Sequence, residues 1–327
     1  MILAAGFGTR LGDLTQHRPK PMVPICGTPL VRWAALWLAH HGVKDVAVNL
    51  HHLGAQIERE LGDGSKLGLR IRYSHEEGMI LGTGGGLRHA RALLDEGDGA
   101  PIVIVNGKIL VDFDLGALIE RHRSSGAEAT MVLRPDPSAA NWGSLQLDTQ
   151  GRVVRMLGMT PEALPDSEPV TPPLMFTGIH VFEPRFLDRI PPEGEQCVIR
   201  TAYKQLFHEG RDLHGMVTED YWWEHSTPER YLHGMKNVLD GRVSLPFAEH
   251  PIVGVDETAR VDPSATLVEP VWIGPNVKVG AGATVGPHVA LEADAVVEPN
   301  ATVERVIAWD RATLAGEVRD QVVLPAG

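Results

Sequence analysis

The 327-residue sequence contains no run of about 18 apolar residues, so no segment is suited to cross a bilayer as a helix. It has only two cysteines, Cys26 and Cys197, too few for a disulfide framework or a thiolate zinc site. Both read as small buried hydrophobes in a protein of the reducing cytoplasm. No GxxxxGK[ST] stretch occurs, which excludes a Walker-type phosphate loop. Positive charge is scarce: 30 Lys+Arg against 42 Asp+Glu give a formal net charge of −12. That balance argues against nucleic acid or an anionic membrane as partner. Any anionic ligand must be met by a local cationic cluster. The first dozen residues are apolar and glycine-rich but lack the basic lead and cleavage site of a signal peptide, and read as mature protein.

The length suits one large and one modest domain, and 43% hydrophobic residues suffice for a sizeable core. Strand-like and helix-like runs alternate through the first two-thirds, the pattern of an α/β domain with a mixed, mostly parallel, buried sheet. Strands are expected at Met1–Ala5, Val46–Asn49, Leu69–Tyr73, Ile102–Val105, Ala129–Leu133, Val153–Met156 and Phe176–Phe182. Helices are expected at Leu30–His41, Gln56–Leu61, Leu87–Leu94, Leu115–His122, Thr201–His208 and Pro228–Leu239. Beyond Leu245 a six-residue period takes over, with aliphatic residues at Val255, Val261, Leu267, Ile273, Val279, Val285, Leu291, Val297 and Val303. Small residues such as Ala259, Ala283 and Ala301 stand four places after most of these starts. This period predicts a left-handed parallel β-helix of about three coils of 18 residues, on whose open ends and flat faces self-association is expected. The domains are accordingly 1–245 and 246–327.

Chemistry concentrates first in Leu3-Ala-Ala-Gly-Phe-Gly-Thr-Arg-Leu11 and the following Pro19-Lys-Pro-Met22. A strand running into a glycine loop brings backbone N–H groups to a polyphosphate, because Gly6 and Gly8 tolerate positive φ and carry no Cβ. Arg10 can grip a departing pyrophosphate bidentately, and Lys20 acts as a point charge on the phosphate being transferred. The spacing GxGxxxG misses the dinucleotide fingerprint.

The run LAAGFGTRLGDLTQHRPKPMVPI resembles the signature of the sugar-1-phosphate nucleotidyltransferases, with Asp13 where proline is usual. Gly82-Thr-Gly-Gly-Gly-Leu87, after Tyr73-Ser-His-Glu-Glu77, is similar to the family's second nucleotide segment, and Val48-Asn-Leu-His-His52 is similar to its muramate, heptose and mannose branches. The resemblance implies a Rossmann-like nucleotidyltransferase domain that joins a nucleoside triphosphate to a sugar 1-phosphate, giving an NDP-sugar and pyrophosphate. It assigns nucleotide contact to Leu3, Ala4, Ala5, Gly6, Gly8, Thr9, Glu77, Gly82, Thr83 and Asn106, with a flat glycine surface left for the base. It assigns sugar contact to Gly143, Thr177 and Gly178, and catalysis to Arg10 and Lys20. Relatives carry a few residues before the counterpart of Ile2, so the first strand looks shortened.

Two departures bear on Mg²⁺, the cofactor the resemblance implies. Val105-Asn-Gly-Lys-Ile-Leu110 has Lys108 where relatives have a metal-binding aspartate, and Tyr221-Trp-Trp-Glu-His-Ser-Thr-Pro-Glu-Arg-Tyr231 has Glu224 where they have a second. Glu224 remains a possible metal ligand by chemistry, but beside Lys108 a salt bridge is the stronger expectation. Two readings follow: a working transferase with an altered phosphate clamp, or an impaired relative that binds a sugar nucleotide as a sensor. Asp112 and Asp114 precede a helix and read as caps rather than metal ligands. His288 in the repeat region suits acyltransfer, but the repeat is short. The tryptophan pairs at 33/37 and 222/223 read as packing.

Overall fold

The protein is described by a computed structural model over residues 1–137, 139, 143–210 and 212–326. By packing it divides into two interleaved compact units, one of Met1–Gly6, Trp37–Gly107 and Phe113–Trp222, the other of Phe7–Leu36, Lys108–Asp112 and Trp223–Gly327. This division differs from the sequential one at residue 245. The change in composition marks where the repeat begins, whereas packing also joins the glycine loop and the Lys108 segment to the repeat.

In the first unit, β-branched and aliphatic runs build a nine-stranded sheet. Ile2–Leu3 lies in parallel between Asp45–Leu50 and Ile102–Asn106, with Ile2 opposite Val48 and Val105. Arg70–His75 extends this parallel side. Leu174–Phe182 then runs antiparallel to Ile102–Asn106 and Ala129–Pro135, and Leu213–Val217 returns parallel to the latter. Ile104, Met131, Leu133, Phe182, Phe186 and Tyr203 are buried together in its core. Pairing along Leu174–Phe182 slips between Phe176 and His180, a bulge that lifts Thr177 and Gly178 out of register. Helices fall within a few residues of where the apolar spacing put them, except that the expected Leu87–Leu94 helix is broken at Ala90 and extends back to Gly82. The first turns of Gly82–His89 are glycines expected to form an open surface.

In the second unit the hexads fold as the parallel β-helix. Val271 lies opposite Val289, Lys278 opposite Val296 and Thr284 opposite Thr302, each 18 residues on. The inward residues Ile273, Val285, Leu291 and Val303 are fully buried, while Val255 of the first coil is exposed because no coil lies beneath it. A fourth, tighter coil exceeds the three expected. Ala290 lies opposite Ile307, 17 residues on, and Thr302 opposite Glu317, only 15 on.

This unit also ties the glycine-loop segment to the repeat through polar contacts. Arg18 pairs with Asp310 at 2.5 Å, Arg32 with Glu249 at 2.5 Å, and the Gly27 N–H donates to Glu292 at 3.2 Å. The Tyr231 hydroxyl donates to the Pro24 carbonyl at 2.6 Å and accepts from Trp309 Nε1 at 3.1 Å. Cys26 is buried as expected; Cys197 is exposed, contrary to expectation, because the chain around it lies on the surface. No helix among the described residues is long and apolar enough to cross a membrane.

Candidate active site

The glycine loop of the second unit turns sharply. Gly8 has φ +70°, and a Cβ there would meet Lys20 Cβ at 2.8 Å, so only glycine lets the loop close over the lysine stem. Positive φ is used at Gly8 and Gly12 and not at Gly6. Thr15 Oγ1 donates to the carbonyls of Gly8 (3.3 Å) and Gly12 (3.1 Å) and pins the turn. Thr9 and Arg10, which follow Gly8, are exposed.

Three cationic heads converge on one carboxylate oxygen. Glu224 Oε1 lies 2.5 Å from Lys108 Nζ, 3.4 Å from Arg10 Nη2 and 3.7 Å from Lys20 Nζ. Backbone structure holds the closest pair: Trp222–Glu224 and Ile109–Val111 form a two-stranded ladder, and the His225 N–H donates to the Lys108 carbonyl at 3.3 Å. Arg230 Nε donates to the Glu224 carbonyl at 2.9 Å, and the Thr227 side chain caps the helix Pro228–Leu239. The salt bridge expected between Lys108 and Glu224 is therefore present.

Burial differs sharply among the three cations. The Lys20 side chain is only 7% exposed, against 32% for Lys108 and 49% for Arg10. Burial, then Lys108, and further Arg10 push the Lys20 ammonium down to about 7, with Glu224 opposing them. Burial alone would raise the Glu224 carboxyl, but Lys108, Lys20 and Arg10 outweigh it and hold it below its ordinary value. His225 is fully buried and neither ring nitrogen has a hydrogen-bond partner; burial, then Lys20 and Arg230, holds it down to about 3. It is a neutral wall of the cluster.

A metal ion does not fit these residues. Among the described residues no three His, Cys, Asp or Glu side chains gather as a cage. A divalent ion on Glu224 would stand about 4 Å from cations that each repel it by about 8 kcal/mol at an effective dielectric near 20. Asp112 accepts the Ser244 N–H at 2.9 Å, and Asp114 caps Leu115–Ser125 by accepting the Gly116 N–H at 2.7 Å. His288 Nε2 lies 2.7 Å from Asp240 Oδ1 and 3.3 Å from Lys236 Nζ, a surface tie.

The first unit has its own polar cluster at the C-terminal ends of the parallel strands, where α/β sheets place ligands. Leu3 and Asn106 are direct partners, and the Gly107 N–H donates to the Leu3 carbonyl at 2.9 Å. Ala4 and Ala5 are buried beyond the strand, while Gly6 is exposed. The Ala4 N–H donates to Asn49 Oδ1 at 2.8 Å, Asn49 Nδ2 donates to Glu76 Oε1 at 2.7 Å, and the Leu81 N–H donates to Glu76 Oε2 at 2.8 Å. Sequence reasoning missed Asn49 and Glu76. It singled out Glu77, which is exposed, although their place at strand ends signalled that one of the two carboxylates would turn inward.

The glycine surface assigned to the base is covered on its Cβ side. A Cβ at Gly82 or Gly84 would meet the Gln196 carbonyl at 2.7 or 3.1 Å, and one at Gly85 would meet Leu81 Cβ at 2.8 Å. Thr83 is exposed and its Oγ1 accepts the Val198 N–H at 3.1 Å. At Gly86 a Cβ would lie 2.7 Å from Glu76 Oε1 and 2.9 Å from Asn49 Nδ2. Gly86→Ala is therefore expected to destabilise the protein by roughly 1–2 kcal/mol, the disturbed buried pair outweighing the helix propensity of alanine. Thermal denaturation checks this, and an unchanged or higher Tm would contradict it.

Of the residues assigned to sugar, Gly178 has φ +81° and sits directly against Asn106 Nδ2. Thr177 Oγ1 donates to the Val132 carbonyl at 2.8 Å, and its own carbonyl accepts Trp222 Nε1 at 2.8 Å. Gly143 packs against Leu157 rather than against these residues. The tryptophans act as packing: Trp33 and Trp37 are buried, and Trp223 stacks on His233 with centroids 4.7 Å apart.

The arrangement offers strand-end amides in the first unit and, in the second, a glycine loop with a trio of cations around one carboxylate, a chemistry suited to phosphates. A bacterial hexapeptide transferase profile matches six repeats at residues 270–305. The chain is 33% identical over 285 residues to a mannose-1-phosphate guanylyltransferase of Mycobacterium tuberculosis, covering 86% of this chain and 76% of that one. It is 29% identical over 298 residues to a UTP–glucose-1-phosphate uridylyltransferase of Synechocystis, covering 86% and 75%. In fold it is similar to a candidate glucose-1-phosphate thymidylyltransferase from Bacillus anthracis, with TM-score 0.61, 17% identity, and coverage of 72% of this chain and 92% of that one. The nucleotidyl transferase profile matches residues 1–241, and the chain belongs to that family.

Proposed function

We propose that this chain transfers a nucleotidyl group from a nucleoside triphosphate to a sugar 1-phosphate. A phosphate oxygen of the sugar attacks the α-phosphorus in line, a new P–O bond forms, and the bond to the β-phosphate breaks to release pyrophosphate. The observation that carries this reading is the convergence of Arg10, Lys20 and Lys108 on Glu224 in a chain of net charge −12. A sugar monophosphate is largely dianionic at neutral pH, so its attacking oxygen needs no general base. What the protein must supply is position and charge.

In this reading Lys20 faces the transferred phosphate, Arg10 the leaving pyrophosphate, and Leu3–Ala5, Gly8 and Asn106 frame the nucleotide. Thr177 and Gly178 frame the sugar, with Asn49 and Glu76 as positioning residues. Mg²⁺ belongs to the triphosphate as its counter-ion rather than to a site on the protein. Residues 1–245 carry the transfer, residues 246–327 carry self-association through the open first coil, and the cytoplasm, which holds nucleoside triphosphates, is the compartment. The relatives make GTP with mannose 1-phosphate, and UTP or dTTP with glucose 1-phosphate, the pairs to try first.

The test is pyrophosphate release by the purified chain over a panel of triphosphates and sugar 1-phosphates. Release that requires both substrates, with the matching NDP-sugar as product, is expected. Absence of release across the panel, together with absence of the reverse reaction from NDP-sugar and pyrophosphate, would sink the reading.

A further inference from the structure

Members of the nucleotidyl transferase family generally use a divalent metal. Here the one carboxylate that these cations share, Glu224, is already engaged by three cationic side chains, and among the described residues no three His, Cys, Asp or Glu side chains gather as a metal cage. We infer that the Lys108 ammonium is the resident cation of this site, receiving phosphate oxygens directly, so that nucleotide binding needs no divalent ion held by the protein. This inference rests on the proposed function and specifies how that site meets its substrate.

Three observations support it. The Lys108 and Glu224 side chains meet at 2.5 Å from backbones that the Ile109–Val111 and Trp222–Glu224 ladder and the His225 N–H to Lys108 carbonyl bond bring side by side, so the ion pair itself places the ammonium. The head is thus pre-placed, which reduces the ordering that binding must supply. One carboxylate serves three cations, so the cluster keeps an excess of positive charge for a polyphosphate. Lys108 is also more exposed than Glu224, 32% against 19%, so an incoming phosphate meets the ammonium more readily than the carboxylate. A purely structural Lys108 would neutralise Glu224 and influence folding, but would not set the metal dependence of binding.

The experiment measures binding of GTP, UTP, dTTP and inorganic tripolyphosphate to the full chain by calorimetry, in EDTA and in excess Mg²⁺. It compares the wild type with Lys108→Met, Lys108→Arg and Lys108→Asp, and the melting curve of each variant reports its folding. Wild-type affinity in EDTA is expected to stay within about threefold of that in Mg²⁺, while Lys108→Met loses at least about tenfold in EDTA and Lys108→Arg retains most of it. Lys108→Asp is expected to bind only with Mg²⁺. Wild-type binding that requires Mg²⁺ overturns the inference and leaves the proposed function standing, and this comparison holds even if a variant fails to fold. Folded Lys108→Met that binds as the wild type in EDTA overturns it too. No binding of any triphosphate in either condition removes both the inference and the proposed function.

Discussion

Lys20→Met is expected to lower kcat for nucleotidyl transfer roughly 10²–10³-fold, the scale on which a single pre-placed donor to developing phosphate charge acts in a shielded site. Lys20 is the cation for which this loss is largest because its side chain is 7% exposed, whereas Arg10 is 49% exposed and its field is screened by water. The same burial makes the residue costly to the fold. An ammonium pushed down to about 7 is disfavoured when charged, and the folded state bears that penalty in full below about pH 7 and sheds it as pH rises towards the ordinary lysine value. Loss of activity should therefore come without loss of Tm below pH 7. Activity assays paired with thermal melts at pH 6.5 decide the matter. A parallel fall in both would mean that Lys20 braces the loop under Gly8 and does not act on substrate.

Glu292 should make the fold lose stability as pH rises. Its carboxyl is buried in the third coil, where burial raises it to about 8, against the Gly27 N–H and Arg18, which lower it, and Asp310, which raises it. Between the ordinary carboxyl value and about 8 the folded state keeps a proton that the unfolded chain releases. Stability is then fully present below about pH 4.5 and declines up to about pH 8, by at most about 5 kcal/mol for this one group. Glu292→Gln keeps the hydrogen-bond acceptor and removes the titration. Urea melts of both proteins from pH 5 to 8.5 should diverge steadily, the glutamine variant being the more stable at the alkaline end. Curves that stay parallel would show that the carboxylate is solvated despite its place beside Trp272 and His250, which line a cavity of ≈ 440 Å³ with it.

The parts of this fold legible in the sequence were those written as a period. The hexads from Ile273 to Val303 give their inward face directly, because one aliphatic residue in six must be buried in each coil. The fourth coil was not legible, since Thr302–Ala308 runs on as one strand and the offsets contract to 17 and 15, breaking the count. The Lys108–Glu224 ion pair could be foreseen from two charges standing at matched motif positions. The choice between Glu76 and Glu77 could not, because it depends on where Arg70–His75 ends against Asp45–Leu50, a register that one residue reverses. Glycines 82–86 were misjudged for a related reason. Small residues admit either a ligand or the chain itself, and here the Gln196 segment takes the space on the Cβ side.

The interleaving of the second unit bears on modularity. A chain cut at Leu245 would appear, from composition, to shed a detachable tail, yet it would leave Arg18, Arg32, Gly27 and Trp33 without Asp310, Glu249, Glu292 and the edge of Phe247. The repeat is thus part of the scaffold that carries the glycine loop. Swapping tails between relatives would transplant a fraction of that scaffold, and a chimera joined at residue 245 would inherit mismatched halves of every one of these pairs unless segment 7–36 travelled with it.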